Sequence, residues 1–163
     1  MFRFFVSIML VYLVCLISFG CADSARPNDL PKLYPCTITI TQSNTPLAGA
    51  TVEFVPTNQP DAKYHALAIT DDNGNVQMST YGYAGVPLGT YKIIVRKNID
   101  DDFVYAIDES SGEQNIVSYK KYQLVESKFI NAETTPHEIE ITNKRNHTKT
   151  TLDVGEPIKI LIE

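Results

Sequence analysis

Two tyrosines on either side of a glycine, Tyr81 and Tyr83, are the side chains best suited to bind a ligand. Tyrosine rings on a loop stack on the faces of sugars or anchor a protein partner, and their hydroxyl groups add hydrogen bonds. The same rings also cover the edges of sheets, which is the alternative role for this pair. Three further tyrosines, Tyr105, Tyr119 and Tyr122, occur in a later segment without clear periodicity. Tyr81 and Tyr83 are therefore the candidate ligand-binding residues.

Residues suited to catalysis are present but scattered. The three histidines, His65, His137 and His147, have no second histidine or cysteine at the spacing of a metal site. No G-x-S-x-G sequence marks a nucleophilic serine, although a Ser-His-Asp triad is assembled in space rather than along the chain. We therefore expect a noncatalytic protein with no metal and no cofactor. A small hydrolase built on the loops is the less favoured alternative.

Acidic residues form two groups that match cation ligands in type but not in arrangement. Asp71, Asn73 and Asn75 alternate as calcium ligands do, but Gly74 falls at the fourth position rather than the sixth and no glutamate follows at the twelfth. This stretch is typical of a turn. The second group would hold calcium only if its loop folded back, so a solvated acidic loop is expected and a calcium-dependent protein is the alternative. Its members are Asp100, Asp101, Asp102, Asp108 and Glu109.

Net charge argues against one class of partner. The chain has 14 basic and 19 acidic residues, a net charge of −5, and its densest basic spots are the pairs Lys120-Lys121 and Lys144-Arg145. A nucleic-acid-binding surface needs a basic patch or stripe to neutralise phosphates. We expect no nucleic-acid partner. The 44% hydrophobic content indicates an ordinary globular domain rather than a disordered chain.

The elements that must position these residues are short strands. Apolar and polar residues alternate in bursts that are rich in Thr, Val and Ile and are separated by turn signals. Such strands have one apolar face, which two antiparallel sheets hide by packing face to face. The sequence therefore predicts an all-β antiparallel sandwich of about seven or eight strands. The bursts contain Cys36, Val52, Leu67, Val76, Tyr91, Ile139, Leu152 and Ile158.

Two segments fall outside this rhythm. Residues 21–35 combine prolines and polar residues without an apolar period, which is typical of a tether. Residues 98–136 contain loop-like acidic stretches, and their part from Ile116 to Val125 fits either a strand or one or two helical turns, so we expect an irregular insertion there. The predicted layout is a leader at 1–20, the tether, and a sandwich at 36–163 that carries the insertion.

The first twenty residues have the composition of an export signal. Phe4 to Phe19 is almost wholly apolar and follows a single positive charge at Arg3. At about 1.5 Å per residue this run is short for a bilayer core of roughly 30 Å, so a permanent span is the weaker alternative. The junction Ser18-Phe19-Gly20-Cys21 resembles a bacterial lipobox, in which the chain is cut before a cysteine that carries lipid. This resemblance implies that Cys21 is lipidated; an ordinary secretory signal with an incidental Cys21 is the alternative.

The cysteine count agrees with a lipid on Cys21. Cys15 lies in the leader, so after cleavage and acylation a single thiol remains, that of Cys36. An exported domain with disulfides normally has an even number of cysteines. Cys36 alternates with Ile38 and Ile40, which predicts a buried and unreactive thiol. We expect a protein held by lipid on the extracytoplasmic side of a bacterial cell envelope, with the membrane as its first partner.

Three stretches of the chain resemble the carboxypeptidase regulatory-like family, whose domain is a transthyretin-like, or prealbumin-like, sandwich. They are "PLAGATVEFVP", "AITDDNGNVQM" and "GVPLGTYKIIV". A later piece, "KFINAETTPHEIEITNKRNHTKTTLDV", resembles the closing segment of small bacterial lipoproteins with that domain. The resemblance covers most of the chain after the tether, and it implies a fold without implying a function.

Two activities known on related folds lack their residues here. Hydroxyisourate hydrolysis on a transthyretin scaffold needs a Tyr-Arg-Gly-Ser ending, whereas this chain ends in Lys159 to Glu163. Domains with internal Lys-Asn crosslinks need a carboxylate on a central strand, and "TYKIIVRK" has none. The sequence therefore predicts a membrane-anchored extracytoplasmic lipoprotein with a structural or binding role toward a cell-envelope protein or glycan. A carbohydrate- or peptide-binding accessory module that uses Tyr81 and Tyr83 is the alternative.

Overall fold

Alternating apolar and polar residues produce strands through most of the chain. The structure is a computed structural model that describes residues 26–57, 64–143 and 148–162. The predicted all-β class is confirmed, and the arrangement fits a β-sandwich. The strands are β1 (Cys36–Gln42), β2 (Thr45–Pro46), β3 (Thr51–Pro56), β4 (Ala66–Ile69), β5 (Asn75–Gln77), β6 (Ser79–Thr80), β7 (Tyr83–Ala84), β8 (Gly89–Arg96), β9 (Asn98–Ile107), β10 (Gln114–Gln123), β11 (Glu138–Ile141), β12 (Thr148–Asp153) and β13 (Ile160–Leu161).

Two units make up the chain, residues 1–30 and residues 31–163. In the described part of the first unit, the Leu30 N–H donates to the Pro27 carbonyl at 3.1 Å and closes a turn. The predicted leader and the lipidation site Cys21 lie outside the described residues. Within the described ranges, the helix Ser127–Phe129 is a single 3-10 turn, and no helix there is long and apolar enough to cross a membrane.

The larger sheet has the order β11-β8-β3-β4-β6-β7 and is antiparallel throughout. Its register places Val52 opposite Val95 and Phe54 opposite Ile93, so that β-branched and aromatic side chains meet across the central strands. The side chains of this inward set are fully buried. The period-two pattern therefore positions the strands as the sequence predicts.

The smaller sheet is built around β1, which alternates buried Cys36, Ile38 and Ile40 with half-buried threonines. β2 and β5 pair with it antiparallel, whereas β12 pairs with it parallel. The expectation of purely antiparallel sheets is wrong for this one pair. β12 enters from β11 of the other sheet rather than from a hairpin, so its connection does not impose an antiparallel direction.

One hydrophobic cluster joins the inward side chains of both sheets, among them Ile38, Phe54 and Tyr91. The rings of Phe54 and Tyr91 lie 5.9 Å apart between centroids. The buried Tyr91 hydroxyl donates to the Pro87 carbonyl at 3.0 Å, and burial raises the pKa of Tyr91 to about 12. The core therefore satisfies its polar atoms while it excludes water.

The third sheet, in the order β13-β10-β9, is an extension of the sandwich strands rather than a loop. β9 follows β8 after a single residue and pairs with β10 as a hairpin. The prediction of an irregular insertion at residues 98–136 is therefore wrong for residues 98–123, which hold the two longest strands. Of the two predicted alternatives for Ile116 to Val125, a strand or helical turns, the structure has the strand, which ends at Gln123.

Candidate functional site

The hairpin of β9 and β10 is the feature that most departs from an ordinary sandwich. Each strand has ten residues, and most of their side chains are exposed. The pairing is irregular at two places, between Ile116 and Ser118 and between Ser118 and Lys120, as in β-bulges. Asp102 has a φ of 51°, in the left-handed region. The hairpin therefore carries polar and apolar side chains into solvent on long strands.

One face of the hairpin is apolar. Tyr105 lies opposite Ile116, and the side chains two residues to either side of Tyr105 share its face because strand side chains alternate. The Phe103 ring lies 6.4 Å from Tyr105 and 6.0 Å from Tyr119 between centroids. The exposed fractions of these side chains range from 39% for Phe103 to 70% for Ile107. We call this surface the apolar face; it consists of Phe103, Tyr105, Ile107, Ile116 and Tyr119.

The base of the hairpin, next to the sandwich, carries both signs of charge. The Lys159 ammonium is 2.7 Å from the Asp101 carboxylate, and the Lys120 ammonium is 3.5 Å from Asp102. The Tyr122 hydroxyl also donates to Asp102. The hydrogen bond from Lys159 lowers the pKa of Asp101, and that from Tyr122 lowers the pKa of Asp102. Asp101 and Asp102 at the base are thus each paired with a lysine.

The tip of the hairpin is acidic only. The Asp108 carboxylate accepts hydrogen bonds from the Ser110 hydroxyl at 2.7 Å and the Ser110 N–H at 2.9 Å, which lower the pKa of Asp108. Glu109 and Glu113 lie in the same turn. Among the described residues, none of these three carboxylates forms an ion pair. The tip is therefore a localised negative charge beside the apolar face.

The calcium alternative for the acidic group fails on geometry. Asp100, Asp101 and Asp102 lie at the base, whereas Asp108 and Glu109 lie at the tip. Asp102 and Asp108 are six positions apart along an extended strand, which at ~3.3 Å per residue is about 20 Å. In the described ranges, no group of three or more His, Cys, Asp or Glu side chains is placed to hold a metal ion.

Tyr81 and Tyr83 lie on the tight turn between β6 and β7. Thr80 pairs with Tyr83, and the two residues between them, Tyr81 and Gly82, have φ values of 51° and 82°, as in a type I′ turn. Tyr81 is 59% exposed and meets Tyr64 edge to face at 6.1 Å between ring centroids. The turn thus brings two rings to one surface, Tyr81 and Tyr64, of which the sequence reasoning named only the first.

A cluster that sequence reasoning missed lies on the outer face of the larger sheet. One oxygen of the Glu53 carboxylate is 2.8 Å from His65 Nδ1, and the other is 2.7 Å from the Arg96 guanidinium. Arg96 also donates to the Ile130 carbonyl at 3.2 Å. Burial of Glu53 opposes its ionisation, but the hydrogen bonds from Arg96 and His65 outweigh it and lower the pKa of Glu53. The sequence signal was the outward position of Glu53 on β3.

The remaining nucleophilic and basic candidates serve the fold. His137 Nε2 lies 2.9 Å from the Asp153 carbonyl, and the His137 ring stacks on Phe129 at 5.2 Å. Cys36 is buried, as predicted, and burial raises the pKa of its thiol to about 11, so the thiolate is scarce at neutral pH. His147 lies outside the described residues.

Comparisons with known proteins give no family. No family model matches the chain, and no curated protein matches it. Among solved structures, a 9R-lipoxygenase from Cyanothece matches with a TM-score of 0.33 and 15% sequence identity. The alignment covers 82% of this chain and 18% of that one, so this chain spans less than a fifth of the lipoxygenase.

Proposed function

We propose that this chain is a noncatalytic, lipid-anchored protein of a bacterial cell envelope that binds an envelope protein through its projecting hairpin. The observation that carries the proposal is the apolar face, five large side chains of which each is at least 39% exposed. With apolar residues of this size, such a surface amounts to about 500 Å², within the range of functional patches on monomers. A solvated loop would gain nothing from so much exposed apolar area.

The lipid anchor in this proposal comes from the sequence. The leader and Cys21 follow the lipobox pattern, and the proposed sandwich type is the transthyretin-like one of the carboxypeptidase regulatory-like resemblance. Labelling cells with a tagged fatty acid should mark the wild-type protein and leave Cys21→Ser unlabelled. Equal labelling of both proteins would refute the anchor and would leave the hairpin proposal intact.

A noncatalytic role is supported by the engagement of the two described histidines. His65 contacts the Glu53 carboxylate, and His137 contacts a backbone carbonyl, so neither is paired with a serine or cysteine nucleophile in the described contacts. A hydrolase would need such a nucleophile within hydrogen-bond reach of its base. Turnover lost in His137→Ala or His65→Ala, with the fold preserved, would overturn this part.

In-cell crosslinking tests the binding role. A photo-crosslinking amino acid at Tyr105, in the apolar face, should yield one dominant adduct with another envelope protein. The matched control is the same amino acid at Glu133, which is exposed on the loop after the 3-10 helix. Adducts of equal yield at both positions, or none at Tyr105, would refute the proposal.

A second candidate function rests on the Tyr64–Tyr81 pair. Two rings on one surface suit stacking on a sugar or packing on a peptide, with Tyr83 next to the turn that carries Tyr81. Binding to a glycan array that is lost in the double variant Tyr81→Ala, Tyr83→Ala would establish it. A blank array together with unchanged partners in that variant would remove it.

A further inference from the structure

We infer that the outer edge of β9 takes up an extended segment of a partner polypeptide as an additional strand, and that this segment carries lysines or arginines at the end next to the hairpin tip. This inference rests on the proposed function, since it names how the hairpin binds and which partner chemistry it accepts. It adds a backbone interaction to the side-chain contacts of the apolar face.

The strand β9 has a free edge. β10 lies between β13 and β9, so in the described part of the chain the outer side of β9 has no paired strand. Unpaired strand edges are templates for another strand, and natural proteins shield them with proline, inward charges or a covering loop. From Val104 to Ile107 this edge has consecutive apolar or alanine side chains and no proline.

Some backbone groups of β9 face outward, away from β10. The Asp108 N–H donates to the Glu113 carbonyl at 2.9 Å, so Asp108 is bonded toward β10. In an antiparallel pair, residues bonded to the partner strand alternate with residues whose N–H and C=O point away. Counting back from Asp108, Ala106 faces β10, while Tyr105 and Ile107 present their N–H and C=O groups to the free edge.

Apolar side chains lie beside that free edge. Tyr105 and Ile107 belong to the apolar face, so a strand added along β9 would place every second side chain against these residues. The proposed segment is therefore one with alternating apolar residues. Main-chain hydrogen bonds give such a complex its affinity, and the contacts on the apolar face give it specificity.

Charge differs between the two ends of the hairpin. At the base, Asp101 and Asp102 are paired with Lys159 and Lys120, and Asp100 lies opposite Lys121 in the register, so this end attracts neither sign strongly. At the tip, Asp108 and Glu109 have no ion pair among the described residues. Opposite charges steer association and fix register, so the segment's basic residues belong at the tip.

The same charges disfavour two other occupants of this edge, a second copy of the chain and a lipid bilayer. In an antiparallel pair of two β9 strands centred on Tyr105, residue 102 of each copy would lie opposite residue 108 of the other, and both are aspartates. Like charges placed directly opposite are destabilising. A bilayer would have to accept the three carboxylates of the tip before it reached the apolar face.

Peptide binding tests the inference with defined probes. The full chain in nanodiscs is titrated with the fluorescent peptides KKTITVTIKK and EETITVTIEE, which share their apolar pattern and differ in the sign of their ends. We expect the basic peptide to bind at least tenfold more tightly than the acidic one, with an affinity that falls as salt is raised. Equal affinities, or tighter binding of the acidic peptide, would overturn the inference.

A matched pair of variants separates the backbone edge from the side chain. Ile107→Pro removes an outward N–H without removing a hairpin hydrogen bond, whereas Ile107→Ala removes only apolar contact. We expect the proline variant to lose at least tenfold more affinity for KKTITVTIKK than the alanine variant. Equal losses would show that side chains alone bind the peptide and would overturn the added-strand mode.

Amide hydrogen exchange keeps the inference testable even if the proline variant misfolds. In the wild-type chain, the Tyr105 and Ile107 amides should exchange rapidly and become protected when KKTITVTIKK is added, while the Ala106 amide should be protected throughout. Protection of Tyr105 in nanodiscs without peptide would identify the bilayer as the occupant. Concentration-dependent dimerisation in detergent with the same protection would identify a second copy. Either result would overturn the inference, and neither depends on the crosslink at Tyr105 that tests the proposed function.

Discussion

The sandwich and the hairpin use strands of similar composition for opposite purposes. In β8 the side chains of Tyr91 and Ile93 are fully buried, and Tyr91 is the largest fully buried side chain among the described residues. In β9 the aromatic Phe103 and Tyr105 are 39% and 50% exposed. The two strands are separated by one residue, Lys97. Strand formation and burial are therefore independent properties of this chain.

The contrast indicates that the sandwich contributes to folding stability and that the hairpin contributes to binding. Apolar surface removed from water stabilises the fold, by about 25 cal/mol per Å². The same surface left in water is available to a partner, and on the hairpin it lies beside a free strand edge. We therefore expect substitutions in the sandwich to change unfolding, and substitutions in the hairpin to change binding.

The largest expected effect is loss of a core ring. Phe54→Ala removes a fully buried side chain that packs 5.9 Å from Tyr91 between ring centroids. It should lower the free energy of unfolding by about 3–5 kcal/mol, because it leaves a cavity. The matched control, Phe103→Ala on the hairpin, should change it by less than about 1 kcal/mol. Urea denaturation followed by circular dichroism measures both. Equal losses would mean that the hairpin is part of the cooperative core.

The next effect compares two glycines of nearly equal backbone conformation. Gly74 and Gly112 have φ values of 71° and 72°. A Cβ at Gly74 would overlap the backbone carbonyl oxygen of Ile40, whereas a Cβ at Gly112 would meet no atom within 4 Å. We expect Gly74→Ala to cost about 2–4 kcal/mol, from strain plus overlap, and Gly112→Ala only about 1 kcal/mol, from strain. Thermal unfolding of both variants checks the difference, and similar losses would contradict the steric argument.

The sequence pattern predicts the sandwich well because burial on one face imposes a strict period of two. Ile38, Val52 and Phe54 each alternate with polar or half-buried neighbours, and each is buried. The hairpin escaped prediction because both of its faces meet solvent, so nothing in "DDFVYAI" contrasts an inward with an outward side. Its register shifts disrupt the pattern further on the β10 side.

The site depends on long-range pairing that a linear pattern does not contain. Phe103 and Tyr119 are sixteen positions apart in sequence, yet the hairpin brings their rings to 6.0 Å between centroids. Glu53 and Arg96 lie on β3 and β8, and His65 immediately precedes β4, so their approach depends on the strand order of the sheet. The sequence favours Tyr81 and Tyr83 because two aromatic residues around a glycine form a pattern within three positions. The sequence signal for β9 is the run of apolar residues from Phe103 to Ile107, which lies between two acidic stretches.

A smaller effect on folding stability is expected at acidic pH, and it should differ between a carboxylate of the sandwich and one of the hairpin. Asp153 accepts hydrogen bonds from the Asn44 N–H at 2.9 Å and the Gly155 N–H at 2.8 Å. The hydrogen bond from Asn44 is the main cause that lowers the pKa of Asp153 below its ordinary value of 3.8. A lowered folded-state pKa stabilises the fold above the unfolded pKa, and this contribution is lost as the pH falls through the folded pKa.

Asp153→Asn should therefore weaken the protein at pH 7 and leave its stability less dependent on pH below about 4 than that of the wild type. The control is Asp108→Asn at the hairpin tip, where the carboxylate accepts hydrogen bonds only within its own turn. That variant should leave the unfolding curve unchanged at pH 7. Urea midpoints measured from pH 2.5 to pH 7 test this prediction. An equal dependence on pH in the wild type and in Asp153→Asn would show that the Asp153 carboxylate does not contribute to it.

The smallest effect concerns the exposed ion pair at the hairpin base. Because the Lys159–Asp101 pair lies in solvent, Lys159→Ala should leave the unfolding midpoint unchanged within error. Its effect should appear instead in the carboxylate, because the hydrogen bond from Lys159 is the main cause that lowers the pKa of Asp101. An NMR titration should show the pKa of Asp101 rising toward 3.8 in the variant. With Lys159 removed, Asp101 would leave the base more negative, and KKTITVTIKK, which has lysines at both ends, should then bind more tightly. If the pKa of Asp101 did not change, a cation other than Lys159 would neutralise the base. The proposal that the basic end of the added strand lies at the tip would then lose its support.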